Sequence, residues 1–165
     1  MAGNARKSVT PVSGIQKLLG LTLIELLIVV AIIGTLATIA IPIYQEHQYQ
    51  TQIDLAKMDI ILLEQKIDRY RIERNKYPAS LADIGEGGRR DPWDNPYRYM
   101  NIANHPNPGF GGMRKDRSLV PLNTDYDLYS MGRDGRSNQS LRPKQSHDDI
   151  IRANDGAYLG LAEDY

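Results

Sequence analysis

One ionisable side chain, Glu25, stands inside an otherwise apolar run from Leu21 to Ile43, LTLIELLIVVAIIGTLATIAIPI. A carboxylate in hydrocarbon costs several kcal/mol unless a cation neutralises it. The chemistry open to Glu25 is therefore charge pairing, or, near one end of a span, snorkelling of the carboxylate to the interface. Little else in the chain is arranged for reaction. His47, His105 and His147 each lack a metal-type neighbour three or four residues on. There is no glycine-rich phosphate loop, H-E-x-x-H or G-x-S-x-G. Cysteine is absent, which excludes a disulfide scaffold, a Cys-ligated metal site and a thiol nucleophile. Lys plus Arg and Asp plus Glu are 20 each. Zero formal charge argues against nucleic acid as the main partner, which calls for a basic excess. No catalytic constellation is present, and the sequence does not read as an enzyme.

The elements around Glu25 give the pairing its setting. In a chain of 165 residues, one domain is the ordinary outcome. Residues 1–20 carry Arg6, Lys7 and Lys17 and no acid. A basic leader before an apolar run is an export or membrane-orientation pattern. As a helix, Leu21–Ile43 spans roughly 35 Å, enough to cross a bilayer core. A cleaved secretory signal would be shorter and end in a small-x-small site, whereas this run ends Ile41-Pro42-Ile43. A plain anchor with its basic side in the cytoplasm fits the leader but leaves Glu25 unexplained. Within the run, Pro42 cannot bond to the carbonyl of residue 38, so a kink is expected there. The stretch from Gly34 to Ile41 holds a Gly and two Thr, which makes it a weak helix by propensity.

Beyond the run the period stays helical from Tyr44 to Asn75. Ile53, Ala56, Ile60, Leu63, Ile67 and Tyr70 form one apolar stripe. Leu21–Asn75 would then be a rod roughly 80 Å long, apolar all round at first and on one side later, with a small domain packed on the stripe. Glu64 and Asp68 are like charges at i, i+4. They read as a solvated acidic face or as partners of basic residues on a neighbouring subunit, with Arg89 and Arg90 the nearest candidates. After the helix, Asn75-Lys-Tyr-Pro78 is a stop, and Ser80–Ile84 a short capped turn. Asp91-Pro-Trp-Asp-Asn-Pro96 is a turn. Tyr97–Asn101 and Asp125–Ser130 alternate like strands, residues 102–124 read as a long loop, and Ala157–Leu159 is a possible third strand. The fold class is α+β: a long N-terminal helix packed on a small antiparallel sheet, with a long C-terminal loop.

Lys17-Leu-Leu-Gly20 followed by Leu21-Thr-Leu-Ile-Glu25-Leu26 resembles the processing site of type IV prepilins and type II secretion pseudopilins. The resemblance extends into the head, through Asn75-Lys-Tyr-Pro78, Asp91-Pro-Trp-Asp-Asn-Pro-Tyr97 and Asp127-Leu-Tyr-Ser-Met-Gly-Arg-Asp-Gly135, and there it is nearest to major pseudopilins. Departures are Leu21 where the family usually has Phe, Asp94 where it has Gly, and a longer loop from Gly135 to His147. The tail after Ile150 also runs past the usual end. The resemblance implies a leader, residues 1–20, cut between Gly20 and Leu21 by a prepilin peptidase, with methylation of the new amine on Leu21. It implies a membrane and filament-core helix over 21–43, loosened between Gly34 and Pro42 in the filament, and a periplasmic head over 44–165. Glu25 of one subunit would neutralise the terminal amine of the next, in a homopolymer that starts from a single-pass inner-membrane anchor. A cytoplasmic ATPase, an inner-membrane platform and minor pseudopilins are the implied partners, and type II protein secretion the implied function. A surface type IV pilus subunit is the alternative within the family, and a non-polymerising, membrane-anchored periplasmic binding domain the alternative outside it. Calcium is the implied ion of the C-terminal loop, with Asp134 and Asp149 at the matching positions and Asp148 as a second choice. Taken alone, Asp134 also reads as the Asp of an Asp-Gly turn, and Asp148-Asp149 as a helix-start acid pair.

Intact-mass measurement of the protein purified from its native membrane tests the cleavage. The chain should begin at Leu21, carrying one added methyl group. A chain beginning at Met1 would remove the processing site.

Overall fold

The structure, a computed structural model, describes residues 22–104, 111–117 and 119–165. It comprises two compact units that meet in sequence between Ile43 and Tyr44. A single helix, α1 (Leu23–Arg74), contributes to both.

In the first unit, α1 is apolar on every side apart from Glu25, Thr35 and Thr38, and none of its most hydrophobic stretch is buried. By length and composition it qualifies to cross a membrane. Helical backbone runs through Gly34 and continues at Pro42. Both threonines between them turn their hydroxyls back onto the helix, Thr35 Oγ1 to Ile32 O at 2.8 Å and Thr38 Oγ1 to Gly34 O at 2.9 Å. That satisfies the hydroxyls in a segment with no other polar partner to offer.

In the second unit, the remainder of α1 presents Ile53, Ala56, Ile60, Leu63 and Ile67 to the sheet, each no more than 1% exposed. The helix ends where Asn75 enters the left-handed region at φ 54°, a stop that Asn accepts more readily than most residues. Pro78 follows and prevents resumption. The Asp83 carboxylate then accepts the N–H groups of Ala79 and Ser80, at 2.8 and 3.1 Å, and a single 3₁₀ turn, Leu81–Ile84, follows.

Four antiparallel strands make a meander in chain order: β1 (Arg98–Asn101), β2 (Tyr126–Ser130), β3 (Ile150–Ala153) and β4 (Tyr158–Leu161). Tyr99 opposes Leu128, Tyr129 opposes Ile151, and Ile151 opposes Gly160. One face carries Tyr126, Leu128 and Ile150 against the α1 stripe, with Leu81 and Tyr97 completing that core. The other face carries Ile151 and Ala153 against Leu122, Leu141 and Ala162. The sheet is thus covered on both sides, by the helix and by the loops. The sequence pattern anticipates β1, β2 and the start of β4 and leaves β3 as tail. Ile150-Ile-Arg-Ala153 is buried at all four positions, so it lacks the polar-apolar alternation that marks a half-buried strand. The tail beyond Ile150 forms the β3–β4 hairpin.

Removing the methylenes of Ile60 leaves a void between helix and sheet. Ile60→Ala should cost about 2–5 kcal/mol, read as a lowered midpoint in thermal unfolding of the detergent-solubilised chain. Leu62→Ala, on the solvent side of the same turn, should change stability by less than about 0.5 kcal/mol.

Candidate functional site

Glu25 sits at the third position of α1 and is exposed. Its backbone N–H donates to Thr22 Oγ1 at 3.3 Å, and its Oε2 accepts the Thr22 N–H at 3.4 Å. This is the reciprocal arrangement of a capping box, and the acid also lies at the positive end of the helix dipole. The Thr22-x-x-Glu25 spacing was available in the sequence as a helix-start signal. In the single chain, then, Glu25 starts its own helix. Arg6, Lys7, Lys17, Gly20 and Leu21 lie outside the described residues.

The charged residues of the second unit are engaged largely within the chain. Arg152, on β3, donates from Nε to Glu64 Oε1 at 2.5 Å. Its Nη1 and Nη2 fork onto Asp125 at 2.8 and 2.6 Å, and the guanidinium lies 4.1 Å from the Tyr126 ring centre. Burial opposes its charge, but the bonds to Asp125 and Glu64 outweigh it and hold Arg152 above its ordinary value. Arg89 pairs with Asp59 and Glu86, and Glu86 also takes a bond from Lys66. The Lys66 bond leads in holding the Glu86 carboxyl below its usual range. Arg90 donates to Asp94 O at 2.5 Å. Glu64, Arg89 and Arg90, offered from sequence either as part of a solvated acidic face or as partners across subunits, therefore have partners inside one chain, and Asp68 stays exposed on α1. Neither Arg152 nor Asp125 was singled out from sequence. No local pattern links two positions 88 residues apart, as Glu64 and Arg152 are.

The two head motifs lie against each other. Asp91 Oδ1 accepts the N–H groups of Trp93 and Asn95, at 3.0 and 2.8 Å, while Oδ2 accepts Ser130 Oγ at 2.5 Å. Asn95 Nδ2 donates to Gly132 O at 2.8 Å. Asp94 stands at φ 69°, a conformation glycine adopts freely and Asp tolerates, which accounts for Asp at a position where Gly is usual. Gly132 has no such freedom to change: a Cβ there would lie 2.1 Å from Asp148 O.

Asp134 and Asp149, with Asp148 as the second choice, are the positions matching the implied calcium ligands. Asp134 is exposed, and its Oδ1 accepts the Arg136 N–H at 2.7 Å, closing its own turn. Asp148 Oδ2 accepts the Asp134 N–H at 2.9 Å. Asp149 is fully buried, and its Oδ2 receives Arg114 Nη2 at 2.7 Å and Ser137 Oγ at 2.6 Å. Burial pushes the Asp149 carboxyl up to about 6, against the pull of Arg114 and Ser137. Calcium takes six to eight oxygens. Among the described residues no three acidic or histidine side chains group to hold a metal. The three carboxylates, each committed to a different partner, do not fit that cage.

No protein-family model and no solved structure matches the chain. Curated relatives do. The chain is similar to the Type II secretion system core protein G of Pseudomonas aeruginosa, 28% identical over 142 residues that span 73% of this chain and 87% of the relative. It is similar to the protein of the same name in Klebsiella pneumoniae, 28% identical over 139 residues, spanning 82% and 94%. A third, from Aeromonas hydrophila, is 27% identical over 139 residues, spanning 72% and 85%.

Truncating Arg152 strands Glu64 and Asp125. Arg152→Ala should destabilise the chain by about 3–5 kcal/mol. Arg152→Lys should recover only part of the loss, since a lysine cannot fork onto Asp125 while reaching Glu64. Thermal unfolding of the detergent-solubilised variants checks both.

Proposed function

We propose that this pseudopilin-like chain is a structural subunit of a type II secretion system, one that leaves the membrane to polymerise into a periplasmic filament. The observation that carries the reading is the apolar, solvent-facing first part of α1, interrupted by one acid near its start. A monomer in water has no use for such a surface; a bilayer, or a bundle of identical helices, does.

The mechanism is assembly. The basic leader keeps the N-terminus on the cytoplasmic side and leaves the head in the periplasm. A membrane peptidase cuts between Gly20 and Leu21, and the new amine on Leu21 is methylated. Glu25, partnered by Thr22 in the single chain, then meets the terminal amine of a neighbouring subunit. The pair replaces two charges in hydrocarbon with one neutral contact and sets the axial register. Gly34 and Pro42 bracket the stretch of α1 that loosens as subunits stack, and exposed Asp68 faces the neighbouring copy. Other secretion components are the partners: a membrane platform, the ATPase that drives it, and minor pseudopilins.

Glu25→Ala separates a polymer from a simple anchor. The variant should still insert in the inner membrane, while filaments in sheared material fall below detection by electron microscopy when the secretion machinery is co-expressed. Filaments at wild-type abundance would refute the pairing.

A further inference from the structure

We infer that the loop between β2 and β3 is clamped by a cation built into the chain, the Arg114 guanidinium, in the place where a bound divalent ion was expected. This loop, from Met131 to Asp149, buries few apolar side chains, Leu141 foremost, and needs polar ties to hold its shape. Its buried carboxylate, Asp149, is costly without a positive partner. Arg114 supplies one. The Arg114 side chain is only 3% exposed and that of Asp149 not at all.

The guanidinium touches each piece that must be held. Nη2 bonds Asp149 at the entry to β3, and Nη1 bonds Ser137 in the loop at 2.6 Å. Ser137 in turn donates to the same Asp149 oxygen, closing a triangle. The guanidinium carbon lies 4.1 Å from the centre of the Tyr129 ring on β2, a cation–π contact.

The cation is also held in position by its own backbone. The Arg114 N–H donates to buried Asp127 Oδ2 at 2.7 Å, and the Arg114 carbonyl accepts the Leu122 N–H at 2.8 Å. The next residue, Lys115, donates to Gln139 O at 2.9 Å and accepts the Leu141 N–H at 3.1 Å. The segment that carries the arginine is thus laced directly to the loop that the arginine clamps.

Charge balance points the same way. Asp149 is matched by the Arg114 guanidinium. A second buried carboxylate, Asp127, is held by the Arg114 N–H and by Asn123 Nδ2. A divalent ion added beside Asp149 would face the guanidinium's like charge at close range. Asp134 and Asp148, which would have to offset that charge, hold backbone N–H groups of the loop. Two buried atoms of the pair lack partners, Asp149 Oδ1 and Arg114 Nε. They are an acceptor and a donor, and Nε with Nη2 forms the side-on fork that suits a carboxylate. Both are satisfied if the ion pair tightens, with no ion from solution.

The test is thermal unfolding of the full chain in detergent, followed by Trp93 fluorescence, in chelator and in millimolar calcium. The midpoint should stay within about 1 °C between the two conditions. An ion bound at about 100 times its dissociation constant would raise it by on the order of 10 °C. Arg114→Met should lower the midpoint on the order of 10 °C in chelator, and adding Asp149→Asn should restore part of that loss, because the stranded carboxylate is then neutral. A saturable calcium-dependent rise in the wild-type chain would overturn the inference, as would an Arg114→Met variant as stable as wild type. Should Arg114→Met fail to fold, the wild-type comparison decides alone.

Discussion

An ion taken out of water must keep company with its opposite, and the head is organised around that constraint. On the helix side of the sheet, Arg152 binds Glu64 and Asp125. On the loop side, Arg114 binds Asp149. Each guanidinium also rests 4.1 Å from a tyrosine ring on β2, Tyr126 for one and Tyr129 for the other. This inner strand therefore carries an aromatic platform on both faces, and each platform receives a cation from a different part of the chain. The Tyr-rich, Phe-poor composition makes sense in that light: a tyrosine ring packs in the core while serving as a polarised surface for a buried cation.

These ion pairs divide the work with the apolar contacts. The α1 stripe and the inner residues of the sheet supply non-directional attraction, which brings helix and sheet together but tolerates sliding. Arg152 allows little sliding, since its fork suits one arrangement of Glu64 and Asp125. Asp91, Asn95, Ser130 and Gly132 play a similar part at the turns, where hydrogen bonds join two segments far apart in the chain. The motifs that mark the family resemblance in the head are, physically, one contact seen from its two ends.

What could be read from sequence was whatever repeats locally. The stripe from Ile53 to Ile67 follows the helical period, the Asn75–Pro78 stop follows backbone preference, and β1 and β2 alternate. β3 was illegible because both its faces are covered, so its hydrophobicity has no period to detect. No local pattern marks Arg114 or Arg152, since their partners lie tens of residues away and only the meander brings them together. Asp134, Asp148 and Asp149 lie in the connection between β2 and β3. Their spacing could not disclose that an arginine from the 102–124 segment reaches the same place. Glu25 stood out at once, because a charge among aliphatic residues is conspicuous at any level of reading, but its bond to Thr22 required the helix start to be seen.

Arg152 also bears on how the head responds to force. Its guanidinium ties the helix, through Glu64, to β3 and to Asp125, the residue just before β2. Tension applied along α1 reaches the sheet through a short, stiff linkage as well as through yielding side-chain packing. Peeling the helix away would break the Glu64–Arg152 bond in the same event that opens the apolar seam, so the two failures coincide. Such a joint resists gradual creep and gives way, when it does, all at once.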